Sequence, residues 1–162
     1  MPDSELLNRL KTILAQTSSR RTKAACILDA IREDGHYRWV GMYDVDIARG
    51  MVTNIAWCGP GAPAYRTLPI TKGLTGRAIA ERKPVNVGDT ANDPGYLATL
   101  ATTRSEIIVP VFDVTGERVI GTIDVESERM NAFDPAAQAL LEDCARLLTP
   151  FWIATDPDTV SG

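Results

Sequence analysis

The run SEIIVPVFD (105–113), the turn VTGE (114–117) and the run RVIGTIDVES (118–127) decide how this chain folds. Both runs are rich in β-branched residues, and the short Gly-containing connection makes them an antiparallel hairpin over Glu106–Asp113 and Arg118–Glu126. Side chains alternate across a strand, so Thr122, Asp124 and Glu126 project from one side while Val119, Ile123 and Val125 project from the other. With Glu106 at the matching end of the first run, three carboxylates converge on one small volume. Two unit charges about 4 Å apart repel by roughly 4 kcal/mol at an effective dielectric near 20, so something must relieve them. Two readings follow: a solvated outer face partly neutralised by Arg104, or a cage for an ammonium group built from acids with raised pKa values.

Upstream of the hairpin, Tyr37–Asp44 and Met51–Cys58 read as two further antiparallel strands joined by DIARG, and Leu68–Ile70 as a short strand. A helix runs from Gly73 to about Arg82, and Pro84–Val87 is another strand. Two helices precede the sheet. Leu6, Leu7, Leu10, Ile13 and Leu14 recur at helical spacing behind Ser4 as N-cap, and Arg20–Glu33 forms a second helix that Asp34-Gly35 ends. A last helix, opened by Asp134-Pro135, carries Leu140, Leu141, Cys144, Leu147, Leu148 and Phe151 on its apolar stripe. The segment Gly88–Ser105 has no sustained period and reads as a lid. The order predicts a single α+β domain over 1–162: helices in 1–34, sheet and pocket in 37–127, a closing helix in 134–153 and a frayed tail in 154–162.

Composition excludes several functions. Lys plus Arg number 17 against 21 for Asp plus Glu, a net charge of −4, and no basic stripe tracks a phosphate backbone, so nucleic acid is not an expected partner. No window supplies the roughly 20 apolar residues of a membrane helix, and the acidic start MPDSELLNRL is no secretory signal; a cytoplasmic protein is expected. Cys26, Cys58 and Cys144 form no CxxC pair, and His36 is the lone histidine, so no disulfide framework, His-rich metal centre or cofactor is expected. Cys26 and Cys144 read as small core hydrophobes, and Cys58 as more accessible.

Two further sets of residues could bind a ligand. In ITKGLTG (70–76) a strand passes through glycine into a helix whose first N–H groups have no intrahelical partner and attract anions, with an ordinary Thr-capped turn as the alternative. Such a donor-rich end facing an acid cluster suits a zwitterion such as a free amino acid. Trp39, Tyr43, Trp57, Tyr65 and Tyr96 are either plain core or a pocket wall with an indole N–H or phenol O–H aimed at the ligand.

Taken together, WVGMY (39–43), LPITKGLTGRAIAERKPVNVGD (68–89), PGYLATLATTRSEIIVPVFD (94–113) and VIGTIDVESERMNAFD (119–134) resemble the GAF domain, specifically the branch containing free methionine-(R)-sulfoxide reductase. The resemblance implies a central antiparallel sheet with helices mainly on one face, a small-molecule pocket on the other, and dimers through terminal helices. It implies that Glu106, Asp124 and Glu126 hold a substrate amino group, Glu126 standing where the family often has aspartate, and that Trp39 lines the pocket. The family's catalytic cysteines lie in stretches matching Ala64–Pro69, Gly73–Gly76 and Tyr96–Thr99, where this chain has Tyr65, Thr75 and Thr99. A hydroxyl with no adjacent base cannot replace a thiolate, so reductase chemistry is expected to be absent.

The expectation is therefore a sensor for a small zwitterion, with no catalytic residue. Glu106, Asp124 and Glu126 take the ammonium, the backbone at Leu74, Thr75 and Gly76 and at Tyr96-Leu97 takes the anionic end, and Trp39 is the wall beside Tyr43. Output through a partner protein and a homodimer through the first and last helices are expected. The alternatives are a reductase that uses Cys58 and a receptor for a small anion such as nitrate. Cyclic nucleotide and tetrapyrrole roles find little support, since no cysteine or histidine sits in an attachment context.

Overall fold

The structure is a computed structural model that describes residues 4–96 and 102–154. Six antiparallel strands form one sheet in the order β3-β2-β1-β6-β5-β4. They are β1 (Trp39–Asp46), β2 (Met51–Cys58), β3 (Thr67–Pro69), β4 (Val85–Val87), β5 (Ser105–Phe112) and β6 (Val119–Ser127). The hairpin β5–β6 forms as its sequence predicts, with Glu106 opposite Glu126 and Ile108 opposite Asp124. β1 lies on the other side of β6, with Trp39 opposite Glu126 and Gly41 opposite Asp124. This non-local pairing puts an aromatic strand beside the acids.

Helices α1 (Glu5–Ala15), α2 (Arg20–Gly35), α4 (Pro135–Leu147) and α5 (Thr149–Ile153) cover one face of the sheet. Leu10, Ile27, Leu28, Ile31, Leu141 and Leu148 pack there against Val40, Met42, Ile107, Ile123 and Val125. Hence the inward stripes of the first and last helices serve the core. Their starts are sequence-encoded: Ser19 accepts from the Thr22 N–H, and Asp134 accepts from the Ala137 N–H ahead of Pro135 at the first turn. Ser4 sits at its N-cap position without a side-chain bond. Helix α3 (Gly73–Glu81) packs on the opposite face, where Leu74 and Ala78 meet Val85, Val87 and Ile108. The architecture is α+β, as expected.

Several local expectations are corrected. Helix α2 continues through Gly35, and His36, not glycine, takes the left-handed cap at φ 53°. Gly35 is needed for another reason: a Cβ there would lie 2.1 Å from the Tyr37 ring. Tyr37 itself precedes the strand and stacks on Phe133, with ring centroids 5.3 Å apart. The last helix is two, since Leu148 separates α4 from α5 and Pro150 opens the second. At the far end of the hairpin the register shifts, pairing Val111 with Gly121 but Phe112 with Val119. This irregularity sends Val119 to the face opposite Ile123 and Val125, contrary to simple alternation. The long segment after Gly88 opens with a 3-10 turn at Thr90–Asn92, and the expected tail lies outside the described residues.

Candidate functional site

On the face away from α1 and α2, Glu106, Asp124 and Glu126 are buried, at 4%, 4% and 0% exposure. Their oxygens lie within 4.8 Å of one another. Arg104, the expected counter-ion, is exposed, and no ion pair among the described residues reaches Glu106 or Asp124. The solvated-face reading is thereby excluded, and Arg104 does not neutralise the cluster. Burial, then the charges of its two neighbours, pushes the Glu106 carboxyl well above the usual range; burial and Glu126 do the same to Asp124. The Glu106 and Asp124 carboxyls are hydrogen-bonded to each other, which requires a proton shared between them, and the Thr103 hydroxyl donates to Glu126 Oε1 at 2.8 Å. One oxygen of Asp124, Oδ1, is buried without a hydrogen-bond partner among the described residues. Such a group is expensive to bury, and a cationic guest would satisfy it. The same set is dense enough in hard oxygens to suit a divalent cation.

Glu106 and Asp124 line a cavity of about 30 Å³ whose other walls are Tyr43, Tyr65, Leu68 and the start of α3 from Lys72 to Thr75. That volume holds a water or two, so a larger guest must displace side chains at its rim. The helix start has Lys72 at its N-cap position and no side-chain cap, so the Thr-capped turn is not formed. Leu74 and Thr75 are buried at the cavity. Gly76 is not a free donor: its N–H bonds the Lys72 carbonyl at 2.8 Å. Its role is close packing, since a Cβ there would lie 2.5 Å from the Thr71 backbone. A larger hollow, of about 600 Å³, opens beside the hairpin turn, but none of its charged lining residues, Asp113, Glu142 and Arg146, is buried. The buried carboxylates place the candidate site in the smaller space.

The aromatic residues divide between these roles. Trp39 is 1% exposed, and its indole lies over Gly41, where a Cβ would meet the ring at 2.3 Å. Its N–H is committed to the Gly61 carbonyl at 2.9 Å, so Trp39 offers no donor, and it packs behind Tyr43 rather than among the residues lining the cavity. Tyr43 is buried beside it, its phenol pushed up by burial and by Asp124, and hydrogen-bonded to Asn54. Trp57 packs against the same cluster. Tyr65 lines the cavity yet is 49% exposed. Tyr96 packs with Leu74, Val87 and Ile108. Leu97 and Thr99 lie outside the described residues.

Two features escaped the sequence reading. Lys72 lines the cavity although nothing in its spacing marks it. Arg77 of α3 grips Asp93 with both terminal nitrogens, at 3.5 and 3.2 Å, and Asp93 also accepts from the Gly95 N–H. Against the upward push of burial, these bonds hold the Asp93 carboxyl below its usual range and tie the segment before Tyr96 to α3. The thiols lie elsewhere. Cys144 is buried in the helix-side core, with its pKa pushed up to about 12 by burial. Cys26 packs against the same core. Cys58 donates to Asp29 Oδ1 at 3.0 Å and faces a separate hollow with Arg32 and His36; burial, then Asp29, pushes its thiol up.

The chain has relatives of this architecture. GAF domain-containing protein A of Dictyostelium discoideum is 28% identical over 143 residues, covering 88% of this chain and 87% of that protein. Free methionine-R-sulfoxide reductase of Saccharomyces cerevisiae is 30% identical over 112 residues, 68% of this chain and 60% of the yeast protein. The crystal structure of free methionine-R-sulfoxide reductase from Neisseria meningitidis in complex with its substrate superposes with a TM-score of 0.82 at 30% identity, covering 92% of this chain and 87% of that one. Residues 19–150 match the model of the GAF domain, and with the sheet order and the helix layer described above this chain belongs to the GAF domain family.

Proposed function

We propose that this protein is a GAF-type receptor for a free amino acid or similar small zwitterion, without redox catalysis, and that it passes its signal to a partner protein. The observation that carries this reading is the pair Glu106 and Asp124, buried in a cavity without an ion-pair partner among the described residues. Carboxylates so placed are satisfied by an ammonium that brings its own three donors. The uncapped start of α3, which lines the same cavity, suits an anionic group. Sulfoxide reduction requires a thiolate to attack sulfur and a second thiol to recycle it. Tyr65 and Thr75 stand at this cavity instead, and Cys58 faces another hollow. A homodimer through the first and last helices belongs to the same proposal; Leu7 and Leu147 are only half-buried there.

A second reading, reduction of free methionine-(R)-sulfoxide through Cys58, is favoured by the reductase relatives at 30% identity. One experiment separates the two: calorimetry with L-methionine, L-methionine-(R)-sulfoxide and nitrate, beside a turnover assay with dithiothreitol. Binding of the amino acids without turnover is the expected result, and Glu106→Gln abolishes it. Turnover that disappears in Cys58→Ser would establish the reductase instead, and binding of nitrate alone would establish an anion receptor.

A further inference from the structure

We propose that Lys72 is the specificity-determining residue for the anionic end of the ligand, so that the site selects α-amino acids over amines of the same side chain. This rests on the zwitterion reading above and adds the residue that would read the second charge. Of the described residues lining the cavity, Lys72 is the basic one, and it shares that lining with Glu106 and Asp124. It forms no ion pair among the described residues. Its backbone is extended, at φ −94° and ψ 140°, and opens α3, whose first turn carries neither a side-chain cap nor an acid. The ammonium and the positive end of the helix therefore act on one volume with no resident anion among the described side chains of that turn.

The independent observation concerns an acid of the same lining. Asp124, 4% exposed, keeps Oδ1 buried and without a hydrogen-bond partner among the described residues. A lone cation would satisfy Asp124 but leave Lys72 and the helix start unmatched, and a lone anion would do the reverse. A ligand carrying both charges a few ångströms apart satisfies both groups. Lys72 and Tyr65 are the exposed lining side chains, so both border the mouth. The four-carbon stem lets the ammonium swing over a guest after entry.

The test compares L-methionine with L-methioninol, which keeps the side chain and the ammonium but lacks the carboxylate, on the full chain and on Lys72→Met. An exposed residue is replaced, so the fold is retained and is verified by thermal melting. Calorimetry of the unaltered chain should show L-methionine binding roughly tenfold more tightly than L-methioninol, the size of a hydrogen-bonded charge contact. In Lys72→Met the affinity for L-methionine should fall about tenfold while that for L-methioninol stays constant, so the preference disappears. Equal loss for both ligands, or no loss for either, would overturn the role of Lys72 while leaving the receptor reading standing. Failure of both ligands to bind the unaltered chain would overturn both.

Discussion

On the helix-covered face of the sheet, Val40, Met42, Ile107, Ile123 and Val125 are fully buried among aliphatic neighbours, whereas on the other face Glu106, Asp124 and Glu126 are buried as deeply and carry ionisable groups. The residues alternate along the same strands, so backbone geometry, hydrogen bonding and exclusion of water are shared. Only the side-chain chemistry differs. The first face gains the transfer free energy of its methylenes, about 25 cal/mol per Å² removed from water. The second holds carboxyls away from water, which opposes folding unless protons or a guest neutralise them. One face supplies stability, and the other uses part of it to keep a cluster of carboxyls dry.

Truncation on the stabilising face should give the largest effect. Ile123→Ala should lower unfolding free energy by about 3 kcal/mol, the range for a buried aliphatic truncated to alanine, read from the urea midpoint at constant m. Ligand affinity should be unchanged, and a cost below about 1 kcal/mol would break the contrast.

On the opposite face the sign should reverse. Glu106→Gln keeps a donor for Asp124 but needs no proton to be neutral, so it should stabilise the empty protein at pH 7 by about 2 kcal/mol while removing ligand binding. Destabilisation would mean that the cluster is structural.

The smallest effect is the pH dependence of the empty protein. Glu106 and Asp124 titrate well above their usual range when folded, so the folded state binds more protons than the unfolded one above pH 5. Their contribution is fully present below the ordinary carboxylate range and is lost as pH rises through the folded values. Stability should therefore fall by roughly 1 kcal/mol per pH unit over part of the range from pH 5 to 8, and the slope should shrink in Glu106→Gln. Because a bound ammonium competes with these protons, affinity for L-methionine should rise over the same interval, measured by calorimetry.

Legibility in the sequence differs between the two faces. Alternation in Arg118–Ser127 places Asp124 and Glu126 together, and the hairpin turn brings Glu106 opposite Glu126. Those are near-neighbour relations, and local periodicity carries them. Asp134 is legible as a cap because a cap bond spans only two or three residues, whereas Ser4, read in the same way, makes no side-chain bond. The same rule fails at Val119, where one extra residue in the ladder reverses the face, and at Trp39, whose indole N–H is taken by Gly61, 22 residues away. Neither event leaves a periodic trace.

What the amino-acid order determined by itself is the set of elements, the hairpin register near Glu106 and the co-facial acids, because each depends on residues within about twenty positions and on the two-residue period of a strand. What only the tertiary structure decided is that the acids are dry, that Thr103 rather than Arg104 bonds one of them, and that Lys72 joins Glu106 and Asp124 in one cavity lining. Those depend on β1 inserting beside β6 and on α3 folding over the sheet. Burial and charge proximity are properties of the assembled volume, set by which distant segments exclude water from the same place.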